Sequence, residues 1–118
     1  MTVILDYGIG NLNSIKNMIK KTGHEAIITS SKEELSKADK IILPGVGSFD
    51  FAMKKIKSMS FFPLLEKKVL EEKIPVLGVC LGAQMLLNKS EEGKEEGLGW
   101  ITGKSIKFNF KDKTYRVP

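Results

Sequence analysis

Apolar residues in this chain come in short unbroken runs, separated by stretches in which they recur every three or four positions. Thr2 to Asp6 is the first run and ends at the turn segment Tyr7-Gly8-Ile9-Gly10-Asn11, which predicts a parallel strand buried on both faces. Leu12, Ile15 and Ile19, with Met18 beside the last, then follow at helical spacing and stop at Lys20-Lys21-Thr22-Gly23. Cations and then a glycine are helix-end signals. Glu25 to Thr29 predicts a second strand, and Ser30 with Glu33 three residues on predicts a capped short helix to about Lys37. A third strand is expected over Asp39 to Leu43, running into Pro44-Gly45-Val46-Gly47.

Two helical stretches follow, about Phe49 to Lys57 and Phe61 to Lys73, divided near Ser58-Met59-Ser60. Pro75 to Val79 predicts a fourth strand and Leu81 to Asn88 a further helix. Ser90 to Gly99 is a charged loop with three glycines, and Lys104 to Phe110 and Thr114 to Val117 are strand-like. Strands alternating with helices predict an α/β fold, a parallel sheet covered on both faces. There is no internal repeat. The last strand-like segment stops at Pro118 without a cap or partner helix, so the domain is expected to be incomplete at this end.

With 118 residues, the chain suits one domain, and 42% hydrophobic with 28% charged residues is a globular composition. The longest apolar run, Ile74 to Cys80, is broken by Pro75 and Gly78 and is far shorter than a membrane span of ~20 residues. The N-terminus lacks a signal-peptide pattern, so the expected location is cytoplasmic, with no membrane partner. The net charge of +5 is uneven, since Lys104, Lys107, Lys111, Lys113 and Arg116 stand against Asp112 alone in the last fifteen residues. Apolar residues interleave them near period two, which predicts a strand with a solvated basic face rather than a nucleic-acid contact.

Cys80 is the only cysteine, which excludes an internal disulfide and a cysteine-based zinc site. A lone intracellular cysteine is ordinarily a small buried hydrophobe, but the neighbours of Cys80 favour chemistry. Gly78-Val79-Cys80-Leu81-Gly82 places it between a strand and a helix, with glycine two residues to either side. A strained strand-to-helix turn needs small residues there and lifts the sulfur towards solvent. The following helix N-terminus favours thiolate, the species that attacks an acyl carbon. The oxyanion so formed needs preorganised donors. The Leu81 N–H is one candidate, and the Gly45-Val46-Gly47 backbone, at another strand end, supplies the other.

Three further features carry less. Gly8-Ile9-Gly10 lacks the third glycine of a dinucleotide fingerprint, Asn13 standing there. His24, the only histidine, begins the second strand, away from Cys80. Glu91, Glu92, Glu95 and Glu96 predict a solvated loop.

Asp6-Tyr7-Gly8-Ile9-Gly10-Asn11-Leu12, Leu43-Pro44-Gly45-Val46-Gly47, Gly78-Val79-Cys80-Leu81-Gly82-Ala83-Gln84 and Ser90-Glu91-Glu92-Gly93 with Gly97-Leu98-Gly99 together resemble the class I glutamine amidotransferases. Within them the chain is similar to the glutaminase subunits that serve histidine biosynthesis. The resemblance implies a flavodoxin-like fold and hydrolysis of L-glutamine to glutamate and ammonia. The ammonia would pass to a (β/α)8-barrel cyclase, in a heterodimer that forms imidazole glycerol phosphate. It implies Cys80 as nucleophile, Gly45, Val46, Gly47 and Leu81 at the oxyanion, Gln84 as a glutamine-binding residue, and no metal or organic cofactor. By a looser transfer, Asn11 and Asn13 face the partner.

The family completes its triad with a late histidine and glutamate, and nothing in this sequence matches them. The 118 residues alone are therefore expected to be inactive. Two alternatives stand beside this reading: a paralogue supplying ammonia to surface-polysaccharide sugars, and an inactive module that docks on a barrel.

Overall fold

The computed structural model describes residues 1–106. Four strands form one parallel sheet: β1 (Thr2–Leu5), β2 (Ile27–Thr29), β3 (Lys40–Leu43) and β4 (Val76–Gly78), in the order β2-β1-β3-β4. The register runs Val3↔Ile27, Val3↔Ile41 and Ile41↔Val76, with Leu43 opposite Gly78. Order 2-1-3-4 is that of a flavodoxin-like doubly wound sheet. The strand order reverses beside β1, so ligands are expected at the carboxyl ends of β1, β3 and β4.

Alternation along the strands sends side chains to two unequal layers. Val3, Leu5, Ile41 and Leu43 join the larger core cluster, with Phe49, Met53, Ile56, Leu65, Leu81 and Met85 from the helices above and Phe61 from the turn before one of them. Each such side chain contributes roughly 1.5–3 kcal/mol by leaving water. Ile4, Ala26 and Ile42 face the other way, onto Leu12, Ile15 and Ile19 of the helix α1 (Leu12–Lys21). No residue of α1 is fully buried.

Most sequence expectations hold within a residue or two, and the departures have local causes. The helix α2 (Lys32–Ser36) is capped by Ser31 rather than Ser30. The Ser31 hydroxyl accepts from the Glu34 N–H, while the Glu34 carboxylate accepts from Thr29 Oγ1 at 2.6 Å. The helix α3 (Phe49–Ser58) is capped by Ser48, whose Oγ accepts the Phe51 N–H. The expected helix over Phe61 to Lys73 is instead α4 (Phe62–Glu66) continued by a π-helical turn, Lys67–Glu71. Lys68 in that turn is buried, its ammonium donating to the Ser36 carbonyl at 3.0 Å and pairing with Glu72 at 3.4 Å.

The helix expected to reach Asn88 ends at Met85, leaving α5 as Leu81–Met85. The Asn88 N–H, which a longer helix would bond to the Gln84 carbonyl, donates instead to the Gly103 carbonyl at 2.9 Å, and a returning segment satisfies the carbonyls left free at the helix end. Leu98, Ile101, Gly99 and Gly97 N–H groups donate to the carbonyls of Met85, Leu86, Leu87 and Asn88 in turn, at 2.7–3.1 Å. Backbone polar groups are satisfied either way, so local helix gives way to tertiary pairing. Ser90, expected in the loop, is paired in β5 (Lys89–Ser90), which lies parallel to β6 (Lys104–Ser105) in a small second sheet. Beyond Ile106 the expected continuation of that strand, and the one over Thr114 to Val117, lie outside the described residues.

Candidate active site

Cys80 occupies the turn between β4 and α5 with φ 55° and ψ −123°. A side chain there is strained by about 1–3 kcal/mol, a cost met where the surroundings fix the turn. The only other described non-glycine residue with positive φ is Lys73, where a helical segment ends and left-handed caps are common. Around Cys80 the fixing is steric. A Cβ on Gly78 would stand 2.6 Å from the Ala83 Cα, and one on Gly82 would run into the Leu43 carbonyl oxygen. Both glycines are therefore required by close backbone approach, and the thiol is left exposed. The helix that follows is five residues long, too short to carry a sizeable dipole.

The second glycine-rich strand end lies alongside. The β3–β4 ladder continues past its strands: Val79 N–H donates to Leu43 O at 2.9 Å and Leu81 N–H to Gly45 O at 3.1 Å. Gly45 packs so closely on the turn that a Cβ there would lie 2.8 Å from the Gly82 nitrogen. The structure thus brings Gly45, Leu81 and Cys80 together, and the Leu81 N–H is engaged by the Gly45 carbonyl. Val46 and Gly47 follow on the exposed rim, Gly47 with φ 87°.

Tyr7 fastens this loop to β1. Its buried hydroxyl donates to the Pro44 carbonyl at 2.5 Å and reaches Met85 Sδ at 3.4 Å. Burial pushes the phenol well above its ordinary range, so it stays a neutral donor. No local pattern assigns Tyr7 this role, although it stands within the Asp6-Tyr7-Gly8 run. A small apolar cleft of about 110 Å³ lies between Pro44, Gly45, Val46, Val79 and Cys80 on one side and Asn11, Ser14, Ile15 and Met18 on the other. Asn11 lines it while capping α1 through Oδ1 to the Ser14 N–H; Asn13 is exposed and outside the lining.

Gln84 stands one turn into α5, half-buried, and its Oε1 accepts from Ser90 Oγ at 3.2 Å. The acidic loop after Ser90 is held by Asp50 of α3, whose carboxylate accepts the Lys94 and Glu95 N–H groups. Those two bonds hold the carboxyl below its usual range. Neither Ser90 nor Asp50 was singled out from the sequence; the one available signal was Ser90 heading the Ser-Glu-Glu-Gly run. His24 is exposed and precedes β2, and it shares a hollow with Thr2 and Lys40 at the amino ends of the strands, opposite Cys80. Among the described residues no group of three or more His, Cys, Asp or Glu is gathered for a metal. No described helix is long and apolar enough to cross a membrane.

A strained cysteine on a glycine-flanked bend, at the carboxyl end of a parallel sheet, is the arrangement of an acyl-transfer nucleophile. The family model "Glutamine amidotransferase class-I" matches residues 3–117, and the chain belongs to that family. It is 52% identical over its whole length to the imidazole glycerol phosphate synthase subunit HisH 2 of Methanococcus maripaludis, covering 58% of that protein. It is 46% identical over 95% of its length to the subunit of the same name from Pseudomonas aeruginosa, covering 55%. A solved glutamine amidotransferase superposes with a TM-score of 0.65 at 26% identity, over 82% of this chain and 51% of that one. The chain thus spans 58% and 55% of the length of these two curated relatives.

Proposed function

We propose that this chain is the nucleophile-bearing part of a glutaminase subunit that works in the cytoplasm. It hydrolyses L-glutamine to glutamate and ammonia, and the ammonia passes to a (β/α)8-barrel cyclase that forms imidazole glycerol phosphate in histidine biosynthesis. The observation that carries this reading is the strained Cys80 turn, open to solvent and laced to the Pro44–Gly47 loop. The names of its relatives support the pathway.

In this reading Cys80 Sγ attacks the side-chain amide carbon of glutamine, and the carbonyl oxygen becomes an oxyanion. The C–N bond then breaks, ammonia leaves with the proton taken from the thiol, and water hydrolyses the thioester to glutamate. Gln84 holds the substrate. Leu81 N–H and an amide of Gly45 to Gly47 receive the oxyanion. Because the Leu81 N–H now binds the Gly45 carbonyl, that carbonyl must turn away first, which gives substrate or partner a means of switching the site on. The base that moves the proton comes from outside these 118 residues; exposed His24 stands at the wrong end of the sheet. The 118 residues alone are accordingly inactive in this reading.

The test is mass spectrometry after treating the whole protein, with its cyclase partner, with a glutamine-derived chloroketone. A single adduct on Cys80 that excess glutamine prevents is expected. An unmodified Cys80 contradicts the reading, and failure to complement a histidine auxotroph would redirect it to another client for the ammonia.

A further inference from the structure

Asp50 sits in the first turn of α3, two residues after the Ser48 cap and three after Gly47. Its carboxylate reaches across to a segment 44 residues further along. Oδ1 accepts the Lys94 N–H at 2.8 Å and the Glu95 N–H at 2.8 Å, and Oδ2 accepts the Lys94 N–H at 3.0 Å. One turn later Lys54 pairs with Glu95 at 3.5 Å. The fit is close, since a Cβ on Gly93 would run into Asp50 Oδ1. Just before the clamped residues, the Glu92 N–H donates to Ser90 Oγ at 3.2 Å, and the buried Ser90 hydroxyl donates in turn to Gln84 Oε1.

The first turn of α3 is therefore joined to both walls of the site. By the chain it carries the Pro44–Gly47 loop beside Cys80. By Asp50 it holds the loop that orients Gln84. We infer that Asp50 is a positioning residue for glutamine, acting through residues 92–95 and Ser90 to set the Gln84 amide. This rests on the reading of Gln84 as a glutamine-binding residue. The chemistry favours a carboxylate, because Oδ1 accepts both N–H groups while Oδ2 also faces the Lys94 N–H, so both atoms must be acceptors. Asparagine at this position presents an NH2 group to one of those donors.

The experiment uses the whole protein with its cyclase partner, and measures glutamine-dependent synthesis together with amide exchange. Asp50→Asn is expected to raise KM for glutamine about tenfold with kcat little changed, the size of one lost charge-assisted hydrogen bond. In a Ser90→Ala background the same substitution should add little further, because the two act in series. Gly93→Ala, which displaces the carboxylate from the other side, should give the same rise and carries the test if Asp50→Asn fails to fold. An unchanged KM, or effects of Asp50→Asn and Ser90→Ala that multiply independently, overturns the inference. Exchange separates the clamp from the functional reading. If the wild-type protein consumes no glutamine, that reading fails, while faster exchange at the Lys94 and Glu95 amides in Asp50→Asn still supports the clamp. Unchanged exchange rejects the clamp whatever the turnover.

Discussion

The wall of the site that carries Cys80 is built of backbone, whereas the wall that carries Gln84 is held by side chains. On the first, two strand ends lie so close that glycine is required at positions 45 and 82, and main-chain bonds from Val79 and Leu81 lace them together. On the second, a loop returns over α5 and is fixed by the Asp50 carboxylate and the Ser90 hydroxyl. A backbone wall tolerates almost no change of shape, so damage to it should appear as lost folding. A side-chain wall can loosen while the sheet persists, so damage to it should appear as weakened substrate binding.

Substitutions separate the two. Gly82→Ala drives a Cβ into the Leu43 carbonyl and should cost about 3 kcal/mol or more in urea unfolding, at the upper end of overpacking effects. If Gly82→Ala leaves the midpoint unchanged, the backbone wall is not rigid and the contrast fails. Tyr7→Phe removes the donor to the Pro44 carbonyl and leaves that carbonyl buried, at a cost of about 1–3 kcal/mol in the same measurement. Ser90→Ala should cost about 1 kcal/mol of stability while raising the glutamine KM several-fold, which steady-state kinetics of the whole complex can check.

The smallest effect concerns pH. The folded Asp50 carboxyl titrates below its unfolded value, so its hold on the loop is complete above the ordinary carboxylate range. It fades as pH falls through the lower, folded pKa. The Lys54 and Lys94 charges face the same carboxylate and lower its pKa further, while the Glu95 carboxylate is paired with Lys54. Trp100, the only tryptophan, packs on the core just past this loop. Its fluorescence should therefore change at acidic pH in the wild-type protein, and the change should be absent in Asp50→Asn.

The backbone wall was legible in the sequence because its requirements are local. Short apolar runs mark all four strands of the parallel sheet, and the glycines around Cys80 mark the turn. The side-chain wall was not, since the pairing of Asp50 with residues 94 and 95 spans 44 positions and leaves no periodic trace. Smaller departures have the same origin. Ser30 with Glu33 and Ser31 with Glu34 satisfy one capping spacing equally, and the bond from Thr29 to Glu34 decided between them. The end of α5 at Met85 was set by residues 97–101, which no local pattern in 81–88 announces. The π-helical turn that buries Lys68 against Ser36 is likewise a tertiary contact.

The central claim is that the Cys80 sulfur performs chemistry on glutamine. The most direct test is Cys80→Ala in the whole protein, bound to the proposed cyclase partner and assayed with each nitrogen source. Glutamine-dependent synthesis should vanish while synthesis fed with ammonium salts stays at the wild-type rate. Retained glutamine turnover, or loss of both activities together, would contradict that claim.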